Sequence, residues 1–349
     1  MTMLGWLRAN LFSSPLNTAL TLLALLLLYA TVPPLIEWAV VTADFAGETR
    51  NDCGREGACW VFIKMRFGQF VYGFYPAPER WRVNVAFVLL ALAVTPLFSE
   101  RIRGMRRVSV AFVFIFPPLA VLLFAGGFAG LLPVETAKWG GLMLTLIVAG
   151  VGIAASLPIG ILLALGRASD LPAVRALSVA FIELWRGVPL ITVLFMAAVM
   201  LPLFLPEGVT MNKLIRALIG VSLFAGAYMA EVVRGGIEAI PRGQIEAGHA
   251  LGIGYWRVMG SIVLPQALRI MIPGIVNVFV ALFKDTTLVL IIGLFDFLGI
   301  IKAALADPNW LGFAIEGYVF AAAVFWVFCY SMSRYSARLE RRLGGARRL

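Results

Sequence analysis

Apolar residues in this chain do not alternate with polar ones. They run on in long blocks, and polar residues collect in the gaps between them. A helix that crosses a bilayer needs roughly 20 mostly apolar residues. Blocks of that kind lie at roughly 17–41, 83–99, 109–131, 140–166, 176–204, 213–233, 264–300 and 311–332. The pattern predicts an all-α polytopic membrane protein with about eight transmembrane helices. The seventh block is too long for one straight span. It contains Pro273, Gly274 and the polar run Lys284-Asp285-Thr286-Thr287, so a bend or an interruption is predicted there.

Composition agrees with a lipid environment. Of 349 residues, 61% are hydrophobic and 14% charged. Soluble domains are about half apolar and about a quarter charged. This excludes a soluble enzyme and a disordered chain. The net charge of +10 does not point to nucleic acid, because the basic residues sit beside apolar blocks. Arg101, Arg103, Arg106 and Arg107 separate blocks two and three. Arg334, Arg338, Arg341, Arg342, Arg347 and Arg348 come after block eight. The positive-inside rule places both segments in the cytoplasm. Eight spans then put both termini there.

The same orientation puts the segment from about 42 to 82 outside. A disulfide between Cys53 and Cys59 is expected in that compartment; two free thiols are the alternative. Arg8 and the run Leu20–Leu28 would also fit a cleaved leader, but the apolar stretch is longer than a leader core. A retained span is therefore expected.

The candidate chemistry is narrow. His249 is the sole histidine and no Gly-Lys pair occurs. Neither a multi-histidine metal site nor a phosphate-binding P-loop can be built, and no nucleophile–base set can be assembled. The chain is expected to bind no cofactor and to be no enzyme. Polar and glycine-rich features begin after about residue 139. This predicts an accessory region at 1–138, with the large outer loop, and a working region at 139–349.

Two features of the working region carry chemistry. Between blocks six and seven, Pro241 suits a helix start and Gly252 a helix stop. They frame a short helix at about 241–252, and a second runs from Tyr255 to Leu264. So short a helix needs a surface to lie on. Ala247, Gly248 and Leu251 give it a smooth face, and Glu246 can meet a basic partner. The second feature is ionisable groups inside apolar blocks, which are costly and point to function. Arg186 lies about ten residues into block five, with Glu183 one turn earlier. Lys284, Asp285, Thr286 and Thr287 interrupt block seven. Asp285 or Thr286 could cap a restarted half-helix there. These six residues are the candidate substrate pathway; a self-neutralising Glu183–Arg186 pair and a local cap are the structural alternatives.

Glu246-Ala247-Gly248, three residues, Gly252 and then Pro265 resemble the EAA signature of bacterial ABC importer permeases, with Gly248 where the family has Ala. Three further runs are similar to those of polar amino-acid permeases. They are Glu183-Leu184-Trp185-Arg186-Gly187-Val188-Pro189-Leu190, Ala230-Glu231-Val232-Val233-Arg234-Gly235-Gly236-Ile237 and Lys284-Asp285-Thr286-Thr287-Leu288. Val188 replaces the commoner Thr, and Thr287 replaces Ser. The resemblance spans about 139–345. The extra leading spans look like the larger permease subunit of a general L-amino-acid importer.

The resemblance implies that the last five spans form a type I ABC importer permease core. It implies Glu246, Ala247, Gly248 and Gly252 as docking residues for a cytoplasmic ATPase dimer, which would hold ATP and Mg2+. It also implies a second permease subunit and a periplasmic amino-acid-binding protein as partners. An ion-driven secondary transporter is the alternative, but it has no need of the short docking helix.

Overall fold

The computed structural model describes residues 2–344 apart from 55, 99–102, 129, 205, 207, 209 and 210. Arg101, Arg347 and Arg348 lie outside the described residues. Six helices, at Pro15–Val41, Val108–Ala125, Gly141–Arg167, Lys213–Glu238, Ile272–Ile292 and Ala314–Arg341, are long and apolar enough to cross a membrane. A seventh candidate is a bent pair, Pro172–Gly187 and Leu190–Phe204. The second expected block is also helical, at Arg80–Phe98. Arg80, Arg82 and Asn84 occupy its first turns, which shortens its apolar stretch.

The chain groups into two compact units. One comprises Met1–Phe67 with Ala304–Phe320; the other comprises Gly68–Ala303 with Ala321–Leu349. This differs from a division at residue 138. Segments distant in sequence are gathered into one unit by contacts that the apolar pattern does not encode.

In the first unit, α1 (Met3–Asn10) precedes α2 (Pro15–Ile36). Ser14 caps α2 by accepting the Asn17 N–H at 3.1 Å, with Pro15 in the first turn. No residue of α2 is buried within the chain. Its apolar surface is suited to lipid on all sides. Pro33 and Pro34 lead into a π-helical turn at Glu37–Val41. Cys53 and Cys59 form a disulfide, with Cα atoms 5.6 Å apart.

The bonded loop lies against the start of the last long helix and the segment before it. The Cys59 N–H donates to buried Glu316 Oε1 at 3.1 Å. Phe62 packs against Trp310 and Phe313, at 5.5 and 6.3 Å between ring centroids. Arg66 pairs with Asp307. The Asn309 backbone N–H and the Arg66 charge hold the Asp307 carboxyl below its ordinary value.

The second unit is helical. It contains the end of α3 (Trp60–Tyr72), then α4 (Arg80–Phe98), α5 (Arg106–Ala125) and α6 (Gly141–Arg167). Next come α7 (Pro172–Gly187), α8 (Leu190–Phe195) and α9 (Lys213–Glu238). Short helices α10 (Arg242–Ala250), α11 (Tyr255–Val258) and α12 (Leu264–Ile270) lead to α13 (Ile272–Asp285). α14 (Phe297–Leu305) and α15 (Ala314–Gly344) complete the chain.

The core of this unit is the crossing of α6 and α9. A Cβ on Gly160 would stand 2.6 Å from Met229 Cγ, and one on Gly226 would stand 2.5 Å from Ile159 Cγ2. Small residues at these points let the two backbones approach, as they do between membrane helices generally. Leu144, Val148, Ala217, Val221 and Ala225 bury the rest of the seam.

Block five is not one straight span. Its halves meet at 102°. Pro189 restricts the residue before it to extended backbone, and Val188 sits at φ −111°, ψ 132°. Arg186 is therefore in the last turn of α7, and its depth cannot be counted along a single helix.

Block seven is interrupted as expected, but without a restarted half-helix at Asp285. α13 tightens directly into a 3-10 stretch at Thr286–Ile292. Neither Asp285 nor Thr286 caps a new helix. The Thr286 and Thr287 hydroxyls donate back to the Phe283 and Lys284 carbonyls, at 2.8 and 2.9 Å. This hydroxyl-to-carbonyl bonding is common for Thr in helices.

The close crossing makes a prediction. Gly226→Ala should destabilise the purified protein by about 1–3 kcal/mol, the usual cost of overpacking. Gly260→Ala, whose Cβ would meet nothing within 4 Å, should leave the unfolding midpoint unchanged. Equal midpoints for both variants in a thermal unfolding assay in detergent would contradict the tight seam.

Candidate functional site

α10 begins one residue later than the sequence suggests, with Pro241 as its N-cap. Its end is a Schellman motif. Gly252 takes a positive φ of 71°. The Ile253 N–H donates to Gly248 O at 3.1 Å and the Gly252 N–H to His249 O at 2.9 Å. A residue with a side chain would be strained at that position.

Gly248 is buried and faces the chain's own α11. A Cβ there would meet Val258 Cγ2 at 2.9 Å. This gives the departure from Ala at the third signature position a local cause. Val258, Met259, Val263 and Ala267 form the apolar seat. Gln266 donates to Gln244 Oε1 at 2.7 Å and ties α12 to α10. Glu246 and Ala247 are left pointing outward and exposed. Leu251 and Trp256 add exposed apolar surface, at 79% and 73%.

A charge cluster joins the ends of α6 and α7 to α9, centred on Glu231. Its Oε1 accepts from Arg167 at 2.7 Å. Its Oε2 accepts from Arg234 Nε at 3.0 Å and Nη2 at 2.9 Å. Arg167 also donates to Glu183 at 3.1 Å, and Arg234 to Glu238 at 2.6 Å. Arg186 stands 3.6 Å from Glu231 Oε1. Glu183 and Arg186 thus pair with other helices and not with each other. Such mutual neutralisation lowers the cost of holding partly covered charge at the ends of apolar helices.

Next to this cluster, α9 and α13 enclose a cleft of about 470 Å³ lined by Tyr228, Val232, Gly274, Asn277, Ala281 and Asp285, among others. That volume suits a small organic ligand. Most of the wall is apolar. Its polar groups are the Asp285 carboxyl, the Asn277 amide and the Tyr228 hydroxyl. No hydrogen bond to any of these side chains is found among the described residues. The Arg186 guanidinium lies 5.8 Å from the centre of the Tyr228 ring.

The candidate residues are therefore divided by the fold. Asp285 lines the cleft and Arg186 borders it through Tyr228. Glu183 sits in the charge cluster. Lys284 is exposed and is not part of the cleft wall. Thr286 is buried, and both threonines bond to backbone.

Sequence reasoning missed Glu231 as a hub, although an acid inside an apolar block was signal enough. It also missed Asn277, the one amide in the apolar run of α13, and Tyr228. Nothing in their spacing shows that these two meet across a cleft.

Comparison with known proteins identifies the family. Residues 156–345 match the family described as "Binding-protein-dependent transport system inner membrane component". The chain is 56% identical over 342 residues to the inner membrane amino-acid ABC transporter permease protein YhdY of Escherichia coli K12, covering 98% of this chain and 93% of that protein. It is 41% identical over 406 residues to the glutamate/glutamine/aspartate/asparagine transport system permease protein BztC of Rhodobacter capsulatus, covering 97% and 93%. The crystal structure of an amino acid ABC transporter with histidines superposes with a TM-score of 0.51 at 26% identity, over 58% of this chain and 92% of that one. With helices of spanning length, a short outward-facing helix bearing the Glu246-Ala247-Gly248 signature and a family match over more than half its length, this chain belongs to the binding-protein-dependent transport system inner membrane components, the permeases of ABC importers.

Proposed function

We propose that this chain is the permease subunit of an ATP-driven importer of L-amino acids. The observation that carries the proposal is α10. Its inner side is seated on the chain itself through Gly248, and its outer side leaves Glu246, Ala247 and Leu251 exposed among the described residues. A short helix locked by a Schellman end and by Gln244–Gln266 moves as a rigid lever with α12. An ion-driven transporter has no use for such a lever, and the family match favours the importer over that alternative.

The reading is completed by partners. A cytoplasmic ATPase dimer holds ATP and Mg2+ and receives α10. A second permease shares the pathway. A periplasmic binding protein delivers the amino acid. In this orientation α10 and both termini are cytoplasmic, and the disulfide-bonded loop is outside. Closure of the ATPases would push α10, and the push would reach α9 through the turn at Ala239–Pro241. The cleft between α9 and α13 is the proposed substrate site, with Asp285 facing the ammonium group. Names of relatives support amino acids as the class.

The test is uptake of labelled amino acids into proteoliposomes of the co-expressed complex, with and without internal ATP and external binding protein. Uptake should require both. Uptake that tracks an ion gradient without ATP would overturn the reading.

Two variants address the parts. Glu246→Lys should reduce co-purification of the ATPase several-fold while membrane insertion is unchanged; unchanged co-purification would remove the docking role. Asp285→Asn should raise the KM of uptake about tenfold or more, the scale of one charge-assisted hydrogen bond, with assembly intact. Lys284→Ala should leave uptake kinetics as they are. If the Asp285 and Lys284 variants behaved alike, Asp285 would have no special place in the pathway.

A further inference from the structure

Hydrogen-bond accounting singles out one guanidinium. Three arginines, Arg167, Arg186 and Arg234, surround three acids, Glu183, Glu231 and Glu238, so the group is formally neutral. Both oxygens of Glu231 are taken, one by Arg167 and the other by Arg234 twice. Glu183 bonds to Arg167, and Glu238 to Arg234. Arg186 is left over. It reaches Glu231 only at 3.6 Å, beyond hydrogen-bond range, and makes no hydrogen bond among the described residues.

The guanidinium of Arg186 is exposed and keeps five N–H donors available. Their planar fork matches a carboxylate and takes it bidentately. The position of Arg186 is equally specific. It lies against the ring of Tyr228, and Tyr228 is a wall of the cleft. The cleft itself contains an acid, Asp285, and no Lys, Arg or His. An amino-acid zwitterion held there has a partner for its ammonium group and none for its carboxylate within the wall. Lys284, next to Asp285 in the chain, is exposed and outside the wall, and the cation that meets a wall residue is Arg186, against Tyr228.

We infer that Arg186 is the carboxylate-selecting residue of the cleft. In the empty site it rests against Glu231. When an amino acid enters, it turns to the α-carboxylate, and Glu231 keeps its two hydrogen-bonded arginines. The turn is inexpensive because no hydrogen bond of Arg186 has to break. It also ties occupancy of the cleft to a cluster that continues through Arg234 to Glu238 at the end of α9, close to α10. The inference rests on reading the cleft as the substrate site.

The test is equilibrium binding to the assembled, purified complex without binding protein. A labelled panel of the standard L-amino acids identifies the tightest binder, which is then compared with its α-carboxamide. The wild type should prefer the acid about tenfold or more. Arg186→Gln should abolish that preference by weakening the acid and leaving the amide unchanged. Arg186→Lys, which keeps the charge without the fork and preserves the cluster, should retain part of it.

A fold defect would weaken both ligands together and would not change their ratio. An acid preference that survives Arg186→Gln would overturn the inference, and so would a wild type that binds acid and amide equally. A wild type that binds no amino acid would overturn the substrate-site reading, and the inference with it.

Discussion

Almost every functional feature of this protein hangs from the close crossing of α6 and α9. Gly160 and Gly226 remove the side chains that would hold the two helices apart. The consequence reaches beyond packing. It brings Arg167, at the end of α6, to Glu231 on α9, and so fixes the charge cluster. The face of α9 next to Glu231 provides Phe224, Tyr228 and Val232 to the cleft shared with α13. The same helix runs on to the turn that starts α10. One helix thus carries the cleft wall, the charge hub and the connection to α10.

The departures from regular helix are where the membrane setting would demand a reason for them. Backbone groups freed by a break must be satisfied by protein or by water in a cavity. The bend at Val188 is imposed by Pro189 and lies beside Arg186, at the charge cluster. The 3-10 stretch after Asp285 begins at the cleft. π-helical turns at Met196–Met200 and Met259–Val263 lie within the permease region, and such turns gather at functional sites. Arg216 donates to the carbonyl of Ala198 within the first of them.

The unit built from Met1–Phe67 and Ala304–Phe320 has its own logic. Cys53–Cys59 closes a small loop, and Cys59 then hands its N–H to Glu316. Trp310, Phe313 and Asp307 supply the rest of the contact. The leading region therefore does not stand apart from the permease region in sequence. The segment between α14 and the first turns of α15 folds with it.

The sequence by itself determined the class of the protein. Block length and low charge required helices in lipid, because nothing else satisfies a backbone there. Local chemistry also determined the short helix, since Gly252 and Pro241 act on their own neighbours. The Cys53–Cys59 link is short-range too, six residues apart. Tertiary structure decided the rest. Which arginine pairs with which acid depends on helices 16 to 64 residues apart in sequence. Lys284 and Asp285 are adjacent in the chain, yet only one faces the cleft, because neighbours on a helix point about 100° apart. Asn277 and Tyr228 carry no shared pattern and meet only because α9 and α13 pack together. Periodicity reports what each segment is; which polar group is left without a partner is decided by the company that folding brings to it.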